Sequence, residues 1–370
     1  MSTSQREGRN GGPGIIPLPY DPPQLSDILG PDWKASLGDL YRAMLFGRIL
    51  DTRMLALQRQ GRIGFYGPAM GQEACNAGLA RALRPEDAVF PGLREQLVAL
   101  LRGHPLETYL DHLFGNEGDP AKGRQMPNHP TARDVNYVSM SSVIGTQIVQ
   151  AVGWAYGLKR RQGPGISVAC FGDGATSAND FHSGLNFAAV LRVPVLFVCT
   201  NNRWAISVPV DRQTAVANLS LKGQAYGVPA ETVDGTDVVA VFEALSRRRE
   251  EVRTSSFPAL LELVFDRLTP HSSSDDPTRY QPPGWRERAL ARDPLARLEE
   301  LLDRLGVLSA SEREGLRNEI EERVRRAVSA SEVKPPPGWE TLFQDTLSEP
   351  SWPLSEERDD FDKEQGGRFP

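Results

Sequence analysis

Two short apolar runs with a helix between them constrain the fold of this chain more than any other feature of the sequence. Residues 166–171 and 195–199 are almost entirely apolar, and residues 180–191 between them carry apolar side chains at helical spacing. Runs of this length, bounded by glycine or proline, are typical of buried strands. The short connections predict two parallel neighbouring strands with a right-handed crossover. The sequence therefore predicts an α/β protein with a parallel sheet flanked by helices.

Other periodic segments extend this sheet and divide the chain into three parts. Strands are predicted over residues 88–90, 232–235 and 259–265, and helices over 37–60, 71–82, 145–158 and 238–253. Residues 1–34 are rich in proline and glycine, which predicts an extended or disordered N-terminal arm. A domain over 35–345 follows, with C-terminal helices over 291–333, and a polar tail over 346–370 ends the chain.

The composition excludes several classes of function. Lys and Arg number 42 against 48 Asp and Glu, a net charge of −6 that argues against a nucleic-acid partner. No apolar run approaches the ~18 residues of a membrane span, and the first residues lack the apolar stretch of a secretory signal. Three cysteines outside any CxxC pattern predict free thiols in a reducing compartment. The histidines lack zinc-binding spacing. We therefore expect a cytoplasmic protein without a membrane partner.

Polar residues follow both predicted central strands at the point where each strand ends. Gly172-Asp173-Gly174 follows the first strand, and Asn201-Asn202 follows the second. Because parallel strands joined by a crossover helix end at the same sheet edge, Asp173 and Asn202 should converge there. Carboxylate and amide oxygens suit a small hard cation that also holds phosphates. The glycines allow backbone N–H groups to approach an anion. Either motif alone is more often an ordinary turn; together they predict a site.

This pairing resembles a known cofactor motif. Gly-Asp-Gly, 26 residues, then Asn-Asn is similar to the motif that binds thiamine diphosphate. Further segments follow in the same order as in the alpha subunit of the E1 component of 2-oxo acid dehydrogenases, and the resemblance covers about residues 35–345. These segments are Gly123–Pro127, Ser141-Ser142 with Thr146-Gln147, Phe171–Ala175, Asn201–Ser207 and His271–Asp276. Lys122–Pro127 and Ser274-Asp275-Asp276 look more like the branched-chain type than the pyruvate type.

The resemblance implies a thiamine diphosphate-binding fold and an oxidoreductase that uses thiamine diphosphate and Mg²⁺, with K⁺ in some members. The implied reaction is oxidative decarboxylation of 3-methyl-2-oxobutanoate and related branched 2-oxo acids, in branched-chain amino acid catabolism. The acyl group would pass to the lipoyl domain of an E2 acyltransferase, reducing its disulfide. The implied partner is an E1 beta subunit in an α₂β₂ heterotetramer, which would supply the glutamate that meets the aminopyrimidine ring.

The resemblance also implies roles for particular residues. The Mg²⁺ ligands would be Asp173, Asn202 and the backbone carbonyl of Trp204. The K⁺ site would comprise Ser141, Thr146, Gln147 and the Val143 carbonyl. His271 would be the catalytic residue, supplying a proton near neutral pH, and His129 could meet the substrate. The cofactor contacts would be Arg94, Ser142, Ile144, Gly172, Asp173, Gly174, Ala175, Asn202, Arg267 and His271.

Several positions depart from the family pattern and leave alternatives open. Thr200 stands where some members place a diphosphate-binding arginine, Leu93 where an aromatic residue is frequent, and Pro270 where a histidine is common. Ser272 and Ser274 resemble sites of regulatory phosphorylation. The alternatives are a pyruvate or acetoin dehydrogenase E1 alpha subunit and a non-catalytic thiamine-fold scaffold subunit. A Rossmann-type dehydrogenase is disfavoured because the chain lacks a GxGxxG fingerprint.

Overall fold

The computed structural model describes residues 15–344 and 347–365. The strands are β1 Ala88–Phe90, β2 Ser167–Gly172, β3 Val195–Asn201, β4 Trp204–Ala205, β5 Val208–Pro209, β6 Ala230–Asp234 and β7 Ala259–Val264. Five of them form one parallel sheet in the order β1-β2-β3-β7-β6, and β4 and β5 form an antiparallel hairpin. The predicted parallel α/β sheet is therefore confirmed.

The described residues also form thirteen α-helices. They are α1 Pro22–Leu29, α2 Trp33–Arg59, α3 Glu73–Ala82, α4 Gln96–Leu101, α5 Leu106–Phe114, α6 Thr146–Arg161, α7 Asn179–Leu191, α8 Leu221–Gln224, α9 Val238–Ser255, α10 Trp285–Leu290, α11 Pro294–Leu305, α12 Ala310–Glu332 and α13 Trp352–Gln365. Most bounds differ from the sequence predictions by four residues or fewer. Helix ends fray, so differences of this size are ordinary.

The core divides into three packed clusters that follow from the layers. Side chains of α6 and α7 cover one face of the sheet, and those of α3 and α9 cover the other. A third cluster joins α2, α5, α11 and α12 beside the sheet. Strand β3 lies at the centre of the sheet and all of its residues are buried. A strand that is covered on both faces reads as the continuous apolar run seen in the sequence.

The predicted extended arm is wrong for residues 22–29, which form α1. Asp21 and Gln24 make a reciprocal capping box, and two prolines occupy the first helical positions, where a missing N–H costs nothing. Leu25 is completely buried against the α2 cluster. Pro22 and Pro23, which favour an irregular arm in the sequence, therefore initiate a helix. Residues 1–14, the rest of that prediction, lie outside the described part of the chain.

The C-terminal segment is more helical than predicted. Helices α11 and α12 form the expected hairpin, with Gly306 between them at φ +59°, a value that favours glycine. The predicted polar tail contains α13, which packs Phe361 against Trp339 and Phe343. Residues 345–346 and 366–370 lie outside the described residues.

The three cysteines are free, as predicted, and all three are buried. Burial raises the pKa of each thiol well above its ordinary value. Among the described residues, no helix is both long and apolar enough to cross a membrane.

Candidate active site

A cavity of about 510 Å³ opens at the carboxyl ends of β1, β2 and β3. Ligands of open α/β sheets bind at this edge. The cavity brings together most of the side chains predicted from sequence, whereas Thr146 and Arg267 lie outside its lining. The predicted residues that line it are Arg94, Ser141, Ser142, Ile144, Gln147, Gly172, Asp173, Gly174, Ala175, Asn202, Trp204 and His271.

Asp173 presents a buried carboxylate directly after β2. It begins a short 3₁₀ turn, and its Oδ2 accepts a hydrogen bond from Gln213 Nε2 at 2.9 Å. Burial raises the pKa of Asp173, because the carboxylate has lost water without gaining an ion pair among the described residues. A bound cation would reverse that penalty. Among the described residues, no group of three or more His, Cys, Asp or Glu side chains is placed to hold a metal ion.

The loop after β3 folds against the turn of Asp173. The Asn202 side-chain oxygen accepts the backbone N–H of Trp204 at 3.1 Å, which turns the chain back towards β2. The indole of Trp204 packs on the rings of Tyr280 and Trp285, with 5.3 Å between centroids in each pair. A Cβ on Gly174 would lie 2.7 Å from the Ala205 Cβ. Glycine is therefore required where the segment that follows β2 meets the loop that follows β3.

Two buried guanidinium groups lie beside this convergence point. Arg94 donates to the carbonyl oxygens of Pro68 and His271, the latter at 2.6 Å. Arg267 donates to the Ile206 carbonyl at 2.9 Å and to the Tyr280 hydroxyl at 2.8 Å. Neither arginine has an ion pair among the described residues. Burial and the charge of Arg267 lower the pKa of Arg94 to about 10, so that it remains protonated at neutral pH. An anion placed here would neutralise two positive charges.

His271 lies between these two arginines. Its Nδ1 is 3.2 Å from Arg94 Nη2 and 3.5 Å from Arg267 Nη1, and its backbone N–H donates to Asp275 Oδ2 at 2.7 Å. Burial, then Arg94 and Arg267, lower the pKa of His271 to about 4. The expectation that this histidine titrates near neutrality is wrong for the chain described here. Because Nδ1 faces two donors, the neutral ring carries its proton on Nε2.

The predicted K⁺ ligands form a small polar group at the start of α6. Ser141 Oγ accepts the Val143 N–H at 3.1 Å, and the Val143 carbonyl accepts the Thr146 N–H at 3.4 Å. Gln147 donates to the Cys170 carbonyl at 3.0 Å, which leaves its Oε1 buried without a partner. A buried amide oxygen without a donor fits a cation or an ordered water.

The mouth of the cavity is apolar and exposed. Ile144 and Val143 expose 65% and 67% of their surface, and Ile206 is also exposed. Further inside, the imidazole of His129 contacts the Ser142 hydroxyl, and burial lowers the pKa of His129. The apolar part of the cavity wall comprises Phe65, Leu93, Met126 and Met140.

The departures from the family pattern have visible consequences. The Thr200 hydroxyl donates to Glu95 Oε1 at 3.4 Å and to the Phe171 carbonyl at 3.3 Å, so this position offers no positive charge to a phosphate. Leu93 lines the cavity. Ser272 is buried and Ser274 is exposed, with their hydroxyl oxygens 3.2 Å apart. Only Ser274 is therefore accessible to a modifying enzyme in this conformation.

Sequence reasoning missed several residues that support the site. Gln72 and Glu95 line the cavity, joined by a hydrogen bond of 2.6 Å from Gln72 Nε2 to Glu95 Oε1. Glu262, buried on β7, accepts from the Asn201 side chain at 2.7 Å and so fixes the start of the Asn201-Asn202 loop. A buried acidic residue in an apolar strand was a signal for Glu262. Gln213 gave no signal.

Comparison with known proteins gives the family. The family described as dehydrogenase E1 component matches residues 41–340. The alpha 2 subunit of 2-oxoisovalerate dehydrogenase of Arabidopsis thaliana, named as mitochondrial, is 40% identical over 321 residues, 86% of this chain and 68% of that protein. The alpha 1 subunit is 40% identical over 79% of this chain and 62% of that protein. The pyruvate dehydrogenase E1 component subunit alpha of Bacillus subtilis is 37% identical over 81% of this chain and 78% of its own. The chain therefore belongs to the dehydrogenase E1 component family, and its relatives are alpha subunits of 2-oxo acid dehydrogenases.

Proposed function

We propose that this chain is the alpha subunit of the E1 component of a branched-chain 2-oxo acid dehydrogenase. It would act in the thiamine diphosphate-dependent oxidative decarboxylation of 3-methyl-2-oxobutanoate (2-oxoisovalerate) and in acyl transfer to lipoyl groups. The observation that carries the proposal is a pair of buried arginines, Arg94 and Arg267, that have no carboxylate partner among the described residues. They lie beside the place where the turn after β2 meets the loop after β3. This arrangement combines an anion site with the oxygen ligands of a hard cation.

The described residues fit the diphosphate end of the cofactor. Arg94 lines the cavity and can donate to phosphate oxygens, while Arg267 supports it electrostatically from behind His271. Asp173, the Asn202 side-chain oxygen and the Trp204 carbonyl would hold Mg²⁺. The close contact at Gly174 lets backbone reach the anion. Ser142 and Ile144 would contact the cofactor rings, and the polar group at Ser141, Thr146 and Gln147 would take K⁺.

The proposed chemistry divides between cofactor and protein. When bound, thiamine diphosphate supplies a thiazolium ring that accepts the electron pair released as CO₂ leaves. The chain supplies position and a hydrogen-bond donor. Because the neutral ring carries its proton on Nε2, His271 can donate a hydrogen bond to the oxygen of the acyl group.

The proposed partners follow from what the described chain exposes. The apolar mouth formed by Val143, Ile144 and Ile206 suits coverage by a beta subunit in an α₂β₂ assembly, and relatives are named as alpha subunits. The acyl group would leave on the lipoyl domain of an E2 acyltransferase. The three free, buried thiols support a reducing, cytoplasmic location, although the plant relatives are named as mitochondrial.

The proposed substrate has a branched apolar side chain. Phe65, Leu93, Met126 and Met140 give the cavity an apolar wall, which suits a hydrocarbon group. The plant relatives are named for 2-oxoisovalerate. A pyruvate dehydrogenase alpha subunit is the second candidate, because the Bacillus subtilis relative carries that name at 37% identity.

The test is decarboxylation by the chain co-expressed with its beta subunit, with thiamine diphosphate and Mg²⁺. Rates with 3-methyl-2-oxobutanoate, pyruvate and acetoin would be compared. Asp173→Ala should abolish Mg²⁺-dependent turnover, whereas Asp211→Ala, an exposed aspartate near the same loop, should keep it. Turnover of pyruvate alone would retain the site and overturn the branched-chain substrate. Cofactor binding without turnover of any 2-oxo acid would favour the scaffold alternative.

A further inference from the structure

Asp51 lies outside the cavity, yet it holds a loop on which the site depends. It is on α2 and only 4% exposed, and the described residues give it no ion pair. The Tyr66 hydroxyl donates to Asp51 Oδ1 at 2.6 Å, and the Ala69 N–H donates to Oδ2 at 2.6 Å. Both donors belong to residues 66–70, here called the anchor loop. One loop therefore occupies both oxygens of a buried carboxylate.

The anchor loop in turn supplies three backbone carbonyls to the site. The Pro68 carbonyl accepts from the Arg94 guanidinium. The Tyr66 carbonyl accepts the Ser273 N–H, and the Met70 carbonyl accepts the Leu268 N–H, both at 3.2 Å. Because Leu268 and Ser273 flank His271, the anchor loop holds both ends of the segment that carries the histidine, as well as Arg94.

Close packing makes this connection stiff. A Cβ on Gly71 would lie 2.2 Å from the Asp266 carbonyl oxygen, so the end of the anchor loop touches the backbone that follows β7. The Gly71 N–H donates to Glu73 Oε2 at 2.8 Å, and Glu73 pairs with Arg48 of α2 at 2.5 Å. Helix α2 thus fixes the loop at both ends, and a shift of the loop would move Arg94 and His271 together.

The protonation state of Asp51 determines whether it can hold both donors of the anchor loop. The titratable groups that face it are Tyr66 and Tyr109, Glu73 on α3 and Arg94 before α4. Burial raises the pKa of Asp51 to about 7, and the hydrogen bonds from Tyr66 and Ala69 oppose that rise. Only the ionised carboxylate offers an acceptor oxygen to each donor, because the protonated form keeps one good acceptor.

We propose that Asp51 is a positioning residue whose ionised carboxylate, acting through the anchor loop, sets Arg94 and His271 for the diphosphate of the cofactor. This inference rests on the proposed function. It assigns Asp51 no contact with cofactor or substrate.

The test compares Asp51→Asn with Asp87→Asn in the complex with the beta subunit. Asp87 is also fully buried, but it lies before β1 at the opposite sheet edge, where it accepts from Ile166 N–H and pairs with Arg249, each at 3.0 Å. Asn keeps one acceptor oxygen and so mimics the protonated acid. Asp51→Asn should raise the KM for thiamine diphosphate about tenfold or more at pH 8, and Asp87→Asn should leave it unchanged.

The pH profile separates positioning from general stability. In the wild-type complex the KM for thiamine diphosphate should rise as pH falls from 8 to 6, because Asp51 takes up its proton. In Asp51→Asn the KM should stay at the high value throughout. An unchanged KM in Asp51→Asn, a profile parallel to wild type, or an equal rise in Asp87→Asn would overturn the inference.

A cofactor-free readout separates this inference from the proposed function. Hydrogen–deuterium exchange of residues 266–275 should be faster in Asp51→Asn than in wild type and unchanged in Asp87→Asn. If the wild-type complex binds no thiamine diphosphate, the proposed function fails. Faster exchange in Asp51→Asn would then still support the connection from Asp51 through the anchor loop to the segment that carries His271. If exchange there is unchanged in Asp51→Asn, the link is absent even when the enzyme is active.

Discussion

His271 is held between two guanidinium groups, and this placement determines which ring nitrogen carries the proton. Arg94 and Arg267 both approach Nδ1, so the lone pair faces them and Nε2 keeps its hydrogen. The backbone N–H of His271 is held by Asp275, which also accepts from the Tyr280 hydroxyl. The imidazole is therefore a donor of fixed direction.

Substitutions of His271 test this direction. Gln can place an amide N–H near the position of Nε2, whereas Asn reaches only the position of Nδ1. We expect His271→Gln to keep more of the reductive acylation rate than His271→Asn, which should lose roughly 10²–10³-fold, the range for a lost hydrogen-bond donor in an active site. Single-turnover acyl transfer to a lipoyl domain measures this. Equal losses in the two variants would show that the proton on Nε2 is irrelevant.

The lowered pKa of His271 also makes stability depend on pH. The pKa is about 4 in the folded chain and about 6.5 in the unfolded chain. Between these values the unfolded state binds more protons, so the free energy of unfolding decreases as pH falls from about 6.5 to about 4. Above this window the imidazole is neutral in both the folded and the unfolded chain, so His271 no longer lowers the free energy of unfolding. Unfolding midpoints of the complex measured across the window should fall less steeply in His271→Gln, and identical slopes would contradict the assignment.

Helices α6 and α7 pack closely at a glycine, Gly184, and this helix pair lies beneath the cavity. A Cβ on Gly184 of α7 would lie 2.6 Å from Ile148 Cγ2 of α6. Since α6 begins beside the cavity and α7 follows the Asp173 turn, their separation sets the shape of this wall. A wider separation of the two helices would displace the start of α6 and the Asp173 turn that precedes α7.

Two alanine substitutions test this contact. Gly184→Ala should destabilise the protein by roughly 1–3 kcal/mol, because it overpacks the helix pair. Gly153→Ala, on α6 with no heavy atom within 4 Å of the new Cβ, should stabilise it by up to about 1 kcal/mol through helix propensity. Thermal unfolding of the complex compares them. Equal effects would mean that α6 and α7 are not closely packed at Gly184.

The elements that were predictable are those whose pattern is local. Strands β2 and β3 could be read because burial on both faces requires continuous apolar runs. Helix α1 was missed because Pro22 and Pro23 are breakers inside a helix but tolerated at its start, and its stability comes from Leu25 packing on a distant cluster. The prediction that Asp173 and Asn202 lie at one sheet edge needed only the order of the strands.

The remaining parts of the site depend on contacts between distant segments. Arg94 and His271 are separated by 177 positions, and Asp173 and Gln213 by 40. No local pattern predicts such pairs, and no local pattern predicts that two arginines lower the pKa of His271. The family resemblance identified the site residues, whereas the protonation state of His271 could be inferred only from the folded structure.

For the whole molecule, the exposed apolar mouth is the feature that favours assembly. Val143 and Ile144 expose most of their surface at the mouth of the cavity. Exposed apolar groups at the edge of a site mark surfaces that a partner covers. The proposed beta subunit would close the cavity there.

A pair of valine substitutions tests this coverage. Val143→Asp should weaken assembly with the beta subunit at least tenfold, because a charge would be buried at the contact. Val333→Asp, at a residue that is 82% exposed after α12, should leave assembly unchanged. Sedimentation measures the proportion of heterotetramer. Equal assembly by both variants would place the beta subunit elsewhere.

The buried cysteines can report, through their reaction with alkylating reagents, how the folded chain opens. Cys170 and Cys199 lie on β2 and β3 at the centre of the sheet, and Cys75 lies on α3, where its thiol donates to the Gly235 carbonyl at 3.2 Å. Alkylating reagents attack the thiolate, so each cysteine reacts only when the cluster that buries it opens. Cys75 and Cys170 lie between the sheet and helices α3 and α9, whereas Cys199 lies between the sheet and helices α6 and α7. The order in which the three sites gain mass during slow labelling therefore reports which helical layer detaches from the sheet first, or whether both detach together.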